Sequence, residues 1–115
     1  MKTHTSEKQT LDLIKLGFKE PTGGVYYPTP DYSRDTTIQS FRKAYALEEI
    51  YKLLENFASF SIRYVYTKKA YIASGSALAN SGLAYRGCYH VEQIDALVEI
   101  LIGLKKRVSY DTNKV

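Results

Sequence analysis

A block of strand-like sequence, residues 61–90, lies between two segments whose apolar residues repeat with the period of a helix. The paired lysines Lys68 and Lys69 interrupt the block early and predict a hairpin turn. Residues 74–82 are small or polar apart from Leu78, and we interpret them as a flexible loop before a third strand. Three stretches rich in β-branched and aromatic residues, which favour strands, remain: SIRYVYT, AYIAS and LAYRGCYH.

The segments on either side of this block predict helices. From about Tyr45, the segment YALEEIYKLLENFAS places its apolar residues on one face: Leu47, Ile50, Tyr51, Leu54 and Phe57. The last helix is predicted over residues 91–106, and it carries Ile100 and Ile102 in addition to its main apolar stripe. So much apolar surface predicts burial on two sides, either within the fold or partly in a homodimer interface.

The start of the chain predicts a shorter helix over about residues 6–16. Ser6 and Gln9 have the spacing of a capping box, and Gly17 is suited to end the helix. Pro28 and Pro30 restrict the following extended segment to an edge strand or an irregular loop, because proline cannot donate to a strand ladder. Residues 31–37 are polar and predict a surface loop, whereas residues 38–44 are expected to be extended.

A chain of 115 residues fits one domain. We predict an α+β fold with a single two-layer domain over residues 1–115, in which an antiparallel sheet of three or more strands packs against two helices, plus a short N-terminal helix. The termini, about residues 1–5 and 109–115, are expected to be frayed.

Apolar runs and cysteine content indicate the cellular compartment of the protein. The sequence has no run of about 18 apolar residues, and its start, MKTHTSEKQT, is polar, so we expect neither a membrane span nor a secretory signal. The lone Cys88 cannot form an intramolecular disulfide, which is typical of a reducing compartment. The sequence therefore predicts a cytoplasmic protein with no membrane contact.

Charge is unevenly distributed along the chain, whose net charge is +4. Between Asn56 and Val91 there is no acidic residue, but there are four cations: Arg63, Lys68, Lys69 and Arg86. The period of two in a strand places the tyrosines together, with Tyr64 and Tyr66 on one face of SIRYVYT. Aromatic rings beside cations are what a sheet needs to stack bases and hold phosphates.

This pattern predicts a nucleic-acid-binding surface formed by Arg63, Tyr64, Tyr66, Lys68, Lys69, Tyr71 and Arg86. The alternative is structural, because a tyrosine ring can pack under a helix while its hydroxyl reaches water. The two interpretations compete, since a tyrosine face covered by helices cannot stack bases.

Few residues could support catalysis or cofactor binding. Cys88 and His90 are two residues apart, and we interpret them as a buried thiol beside a helix-capping histidine. Glu92, Asp95 and Glu99 fall on one side of the last helix, which is typical of a solvated face. We therefore expect no catalytic residues, no metal and no cofactor.

The order of motifs resembles that of a loose group of small uncharacterised proteins from bacterial genomes, mobile elements and phages. The residues that carry the resemblance are LIKLGFKEP, YALEEIYKLLENF and YRGCYHVEQIDALVEILIGLKK, which together extend over most of the chain. The resemblance implies a fold and a phage or mobile-element origin. It implies no activity, because its motifs are helix and turn patterns without chemically reactive residues.

The order of elements from Ala46 to Lys106 is also similar to that of the double-stranded-RNA-binding domain. The last helix begins HVEQIDA, however, where that family presents a basic cluster to phosphates, so we exclude this family. Two hypotheses follow. The first is a non-enzymatic accessory or interaction protein that binds another protein, with a homodimer through residues 91–106 as one form. The alternative is a weak nucleic-acid-binding protein that uses the tyrosine-rich basic sheet.

Overall fold

The computed structural model describes residues 2–22, 26–30, 39–80 and 82–112. Within these residues the elements follow in the order α1 (Glu7–Lys15), β1 (Tyr26–Pro30), β2 (Gln39–Lys43), α2 (Leu47–Phe57), β3 (Ala58–Val65), β4 (Ala70–Ala77), β5 (Ala84–Arg86) and α3 (Gln93–Thr112). Strands β3, β4 and β5 form an antiparallel sheet in that order. The predicted α+β fold, with a three-stranded sheet, two packed helices and a short N-terminal helix, is confirmed.

Helix α1 begins with the predicted capping box. The Ser6 hydroxyl accepts a hydrogen bond from the Gln9 backbone N–H at 3.3 Å, and the Gln9 side chain accepts one from the Ser6 N–H at 2.9 Å. Gly17 follows the helix with a φ of 96°, a conformation in which glycine avoids the strain of a side chain. The capping and stop signals of this helix are therefore both confirmed.

The start of the chain was expected to be frayed, and this expectation is wrong for residues 2–5. Thr5 is fully buried, and its backbone N–H donates to the Tyr45 carbonyl at 2.9 Å. The Thr5 hydroxyl accepts from the Tyr45 backbone N–H at 3.0 Å, and His4 pairs with Ala46 in a β-bridge. These bonds hold Tyr45 and Ala46 extended, so α2 begins at Leu47 rather than at Tyr45.

Helices α2 and α3 cover one side of the β3–β4–β5 sheet, and α1 packs against α3. The core between these layers contains fully buried side chains from all three helices: Leu13, Ile50, Leu54, Ile94, Leu97, Ile100 and Leu101. Burial of this apolar area is the main favourable contribution to folding, at about 25 cal/mol per Å².

The apolar excess of the last helix is covered inside the chain. Helix α3 contacts β4 and β5 on one side and α2 and α1 on the other, so Ile100 has no exposed area and Ile102 is half-buried. Val91, where the last helix was predicted to begin, is 76% exposed and precedes the helix. The homodimer through residues 91–106 therefore stays a prediction, without the exposed apolar surface that motivated it.

Two predicted boundaries in the sheet are wrong. Strand β3 begins at Ala58, directly after α2, and ends at Val65, so Tyr66 and Thr67 lie in the turn. Strand β4 continues through Ala77, although residues 74–82 were expected to form a loop. Small residues suit this part of β4 because a side chain at Gly75 would lie 2.8 Å from the Ser59 carbonyl oxygen and 3.0 Å from Phe60 Cβ.

The third strand is shorter than predicted because a bulge follows it. Ser74 pairs with Arg86, whereas Tyr71 pairs with His90, so three steps along β4 correspond to four steps on the partner segment. The extra residue lies between Arg86 and His90 and shifts the alternation of side chains there. Gly87 inside a strand pattern was the available signal for this bulge.

The remaining predictions concern the hairpin and the C-terminal tail. Strands β1 and β2 form a separate antiparallel pair, consistent with the edge position expected from Pro28 and Pro30. Helix α3 continues to Thr112, so the expectation of a frayed tail from residue 109 is wrong for residues 109–112. The predicted loop at residues 31–37 lies outside the described residues.

Candidate functional site

Among the described residues, helices cover one side of the β3–β4–β5 sheet, and no helix covers the other side. The helix face consists of the half-buried or buried residues that pack against the core: Phe60, Ile62, Tyr71, Ala73 and Tyr85. We call the opposite side the open face. By the register of the strands, its residues are Ser59, Ser61, Arg63, Val65, Ala70, Ile72, Ser74, Ser76, Ala84 and Arg86, of which Ala70 and Ile72 are buried.

Serines occupy the centre of the open face. Ser61 is paired with Ser74, and Ser74 is paired with Arg86, so these three residues form one row across the sheet. The two hydroxyl oxygens of Ser61 and Ser74 are 3.5 Å apart. An open groove of about 540 Å³ is lined by residues 59–61 of β3, 74–76 of β4 and 84–86 of β5, including Phe60 and Tyr85 of the helix face.

Two arginines border the serines. Arg63 is on β3 opposite Ile72, and Arg86 is on β5, so they stand on the two outer strands of the sheet. Both side chains are exposed. No hydrogen bond or ion pair joins either guanidinium group to another residue that the structure describes. The open face therefore carries two positive charges that no described residue pairs with, beside several hydroxyl groups.

The turn between β3 and β4, residues 66–69, forms a second feature, which we call the hairpin tip. The Tyr64 ring lies edge-on to the Tyr66 ring at 5.1 Å between centroids and to the Tyr71 ring at 5.0 Å. Tyr66 is 84% exposed, and the Lys68 Nζ atom lies 5.9 Å from the centroid of the Tyr89 ring. The tip thus combines exposed aromatic rings with two lysines.

The structure separates the seven residues of the predicted nucleic-acid surface into three groups. Arg63 and Arg86 lie on the open face. Tyr64 and Tyr71 lie on the helix face, where Tyr71 packs against the core and Tyr64 is 42% exposed. The other three residues lie at the hairpin tip: Tyr66, Lys68 and Lys69. The cations and tyrosines of the strands therefore occupy opposite sides of the sheet, as the period of two requires.

A polar cluster around Glu99 was not predicted. Its Oε1 atom accepts hydrogen bonds from the Cys88 backbone N–H and from His90 Nε2, both at 2.8 Å, and its Oε2 atom accepts one from the Tyr85 hydroxyl at 3.0 Å. Partial burial by itself raises the pKa of Glu99. The hydrogen bonds from Cys88, His90 and Tyr85 outweigh burial and hold that pKa below its ordinary value.

The other two carboxylates of this helix side are also bound within the chain. Asp95 accepts hydrogen bonds from Lys2 Nζ at 2.7 Å and from Gln9 Nε2 at 2.8 Å, and Glu92 accepts one from the Lys2 backbone N–H at 2.8 Å. Burial raises the pKa of Asp95, but the bonds from Lys2 and Gln9 outweigh it and lower that pKa. The expectation of a solvated face is therefore wrong, because these carboxylates fasten the start of the chain and β5 to α3.

The interpretation of Cys88 and His90 also changes. Cys88 is exposed rather than buried, and His90 lies on the helix side, where it contacts Glu99 instead of capping a helix. The bulge is the physical cause, since it turns these two residues away from a shared face. Within the described part of the chain, no group of three or more His, Cys, Asp or Glu residues is arranged to hold a metal ion.

Comparison with known proteins adds no relative: no protein-family model, curated protein or solved structure matches this chain. Among the helices of the described residues, none is both long and apolar enough to cross a membrane. The geometry of the two surfaces, the open face and the hairpin tip, is therefore the basis for a functional conclusion.

Proposed function

We propose that this protein is a non-enzymatic module that binds nucleic acid through a basic surface formed by Arg63, Lys68, Lys69 and Arg86. The phosphate backbone is the expected contact, because cations and hydroxyl groups bind phosphate oxygens without reading sequence. The cytoplasmic location and the phage or mobile-element origin expected from the sequence remain predictions.

The observation that supports the proposal is the exposure of all four cations in a region that has no acidic residue. Each of the four side chains is exposed, and the sequence between Asn56 and Val91 contains no Asp or Glu that could neutralise them. Of the acidic groups on α3, Asp95 is paired with Lys2 and Glu99 with His90. The positive potential of the basic surface is therefore available to an anionic partner.

A second candidate function, binding of another protein, is favoured by the outer edge of β3. This strand has eight residues and pairs only with β4 among the described strands. An unpaired edge of this length can accept a strand from another chain. Light scattering at high concentration tests the case in which the other chain is a second copy, and a monomer would count against that case.

The proposed function is tested by fluorescence anisotropy with labelled single-stranded RNA, single-stranded DNA and duplex DNA, at low and at physiological salt. Replacing all four cations of the basic surface by glutamine should reduce binding by at least tenfold and weaken its salt dependence.

The matched control replaces four exposed lysines outside the basic surface by glutamine: Lys8, Lys15, Lys52 and Lys106. This control has the same net charge as the first variant, so it separates a local effect from a change in overall charge. Equal losses in the two variants, or no binding by the unmodified protein at low salt, would contradict the proposal.

A further inference from the structure

Exposed aromatic side chains gather at and beside the hairpin tip. Five large apolar side chains are exposed among the described residues, and three of them are tyrosines at this end of the sheet: Tyr64, Tyr66 and Tyr89. Tyr66 has the largest exposed fraction, 84%, because it lies in the turn beyond the ends of β3 and β4. Single exposed apolar residues are ordinary on a protein surface, whereas several gathered in one place indicate an interaction site.

Contacts between tyrosine rings hold Tyr66 in place. The Tyr71 ring packs against the core, the Tyr64 ring contacts it edge-on at 5.0 Å between centroids, and the Tyr66 ring contacts Tyr64 at 5.1 Å. Exposure rises in the same order, since Tyr71 is half-buried, Tyr64 is 42% exposed and Tyr66 is 84% exposed. The outermost ring is therefore supported from inside while most of its surface faces solvent. Such a supported ring loses little conformational entropy when a partner binds.

The two lysines of the hairpin tip place positive charge beside this ring. The Lys68 N–H donates to the Val65 carbonyl at 3.1 Å, and the Lys69 N–H donates to the Tyr66 carbonyl at 3.3 Å, so the turn is held by its own backbone. Both lysine side chains are exposed, and neither forms an ion pair with a described residue. An exposed ring beside cations suits a nucleotide, because the base can stack while the phosphate is attracted to the lysines.

We propose that the hairpin tip binds single-stranded nucleic acid, with an unpaired base stacked on Tyr66 and the adjoining phosphates on Lys68 and Lys69. This inference rests on the proposed nucleic-acid binding and narrows it to strands with unpaired bases. In a duplex the neighbouring base pairs cover the faces of each base, so a ring on a turn cannot stack on them. Because every base has a π-face, stacking tolerates any sequence.

The test measures fluorescence anisotropy of the full chain with four labelled probes of about 12 nucleotides, a length within the range of single-strand sites. The probes are a DNA strand, the RNA strand of the same sequence, the DNA duplex, and an abasic strand that keeps the phosphates without the bases. At physiological salt we expect both single strands to bind at least about tenfold more tightly than the duplex and the abasic strand.

Variants of the hairpin tip separate stacking from charge. Tyr66→Ala removes the ring and should weaken binding of the DNA strand by about tenfold, whereas Tyr66→Phe keeps the ring and should change it by less than about twofold. Neither variant should alter the slope of log K against log salt. The double variant Lys68→Gln, Lys69→Gln should lower that slope by about 1.4, because each phosphate contact with a single strand contributes about 0.7.

Leu78→Ala is the matched control for Tyr66→Ala. It removes another exposed apolar side chain, which follows the opposite end of β4, and should change affinity by less than about twofold. Circular dichroism melts establish that each variant is folded.

The variant Tyr66→Trp reports stacking directly, because the protein has no tryptophan of its own. Its fluorescence should be quenched by the DNA strand and not by the abasic strand. Val91→Trp introduces the same fluorophore at a position that is 76% exposed and outside the hairpin tip, and it should show no quenching with either strand.

The inference is overturned if the duplex or the abasic strand binds as tightly as the DNA strand, or if Tyr66→Ala binds as tightly as the unmodified protein. Where binding still depends on the four cations of the basic surface, such a result leaves the proposed function standing and removes only the single-strand assignment. If no probe binds at low salt, then the inference and the proposed function both fail.

Discussion

The two faces of the β3–β4–β5 sheet differ in how tightly their side chains are packed. On the helix face the positions over the core are fitted to their neighbours: Tyr85 packs on Gly103, where a Cβ atom would lie 2.5 Å from its ring, and Gly87 has no space for a side chain beside Glu99. On the open face, serines and arginines have no such constraint from a covering helix. The difference shows that packing determines the residues of the helix face, whereas the serines and arginines of the open face are not determined by packing against a helix.

The charged side chains of the two faces also differ in whether they have partners within the described residues. On the helix side, Asp95 forms an ion pair with Lys2, Glu99 accepts hydrogen bonds from Tyr85, Cys88 and His90, and Arg107 lies over the Tyr85 ring at 5.2 Å. On the open face, Arg63 and Arg86 have no partner among the described residues. Changes on the helix side should therefore alter stability, and changes on the open face should alter binding.

Adding bulk to neighbouring residues of β4 is the strongest test of this difference. Gly75→Leu should destabilise the fold by about 3 kcal/mol, because the new Cβ atom would lie 2.8 Å from a backbone oxygen that cannot move aside. Ser74→Leu, one residue away on the open face, should change the free energy of unfolding by less than about 0.5 kcal/mol. Urea denaturation measures both, and equal effects would mean that the two faces are equally packed.

Neutralising one charge on each side gives a smaller expected difference. Glu99→Gln weakens three hydrogen bonds to a charged acceptor and should reduce the free energy of unfolding by about 1 to 2 kcal/mol. Arg86→Gln should leave stability within about 0.5 kcal/mol of the unmodified protein. Thermal unfolding compares the two variants. A loss of stability in Arg86→Gln larger than in Glu99→Gln would contradict the division of charge.

The same carboxylates predict how stability depends on pH. In the folded state the pKa values of Glu99 and Asp95 lie below their ordinary values of 4.5 and 3.8. Each group therefore contributes stability that is present above its unfolded-state pKa and is lost as the pH falls through the folded-state pKa. Between pH 6 and pH 3, the unmodified protein should lose more stability than a Glu99→Gln, Asp95→Asn double variant, as measured by urea denaturation at each pH. Parallel pH profiles would show that these hydrogen bonds do not stabilise the ionised carboxylates.

How far the sequence predicts these features depends on the range of the interactions that determine them. The capping box at Ser6 and Gln9 and the stop at Gly17 are local, and both were predicted correctly. The end of α3 was placed too early, although no glycine or proline follows Lys106 to stop the helix. The absence of a stop signal after Lys106 therefore indicates a longer helix. The polar composition of residues 109–115, which suggested a frayed tail, was the poorer guide.

Features that depend on distant contacts were not predicted. The small residues from Ser74 to Ala77 were interpreted as a loop because the requirement for Gly75 comes from Phe60 and Ser59 on the neighbouring strand. The cluster around Glu99 combines residues from β5, the bulge and α3, so no local spacing reveals it. Arg63 and Arg86 alternate with tyrosines along their strands, so their position on the side opposite Tyr64 and Tyr85 is readable from the sequence, although the predicted surface combined the arginines with the tyrosines. The alternation fails at Tyr89, where the bulge adds a residue.

The smallest predicted effect concerns Lys69, where the chain turns from β3 to β4. Among the described residues it is the one non-glycine residue with a positive φ, 49°, a conformation that costs an ordinary side chain about 1 kcal/mol. Asparagine adopts this conformation more readily, so Lys69→Asn should stabilise the fold by about 0.5 kcal/mol. Lys68→Asn is the matched control, because it removes the same charge from a residue without positive φ and should bring no gain. Denaturation midpoints compare the two variants, and a gain in both would mean that charge repulsion between the lysines, rather than backbone strain, limits the stability of the turn. A gain confined to Lys69→Asn, accompanied by weaker nucleic-acid binding, would mean that the lysine is kept at a strained position for its charge.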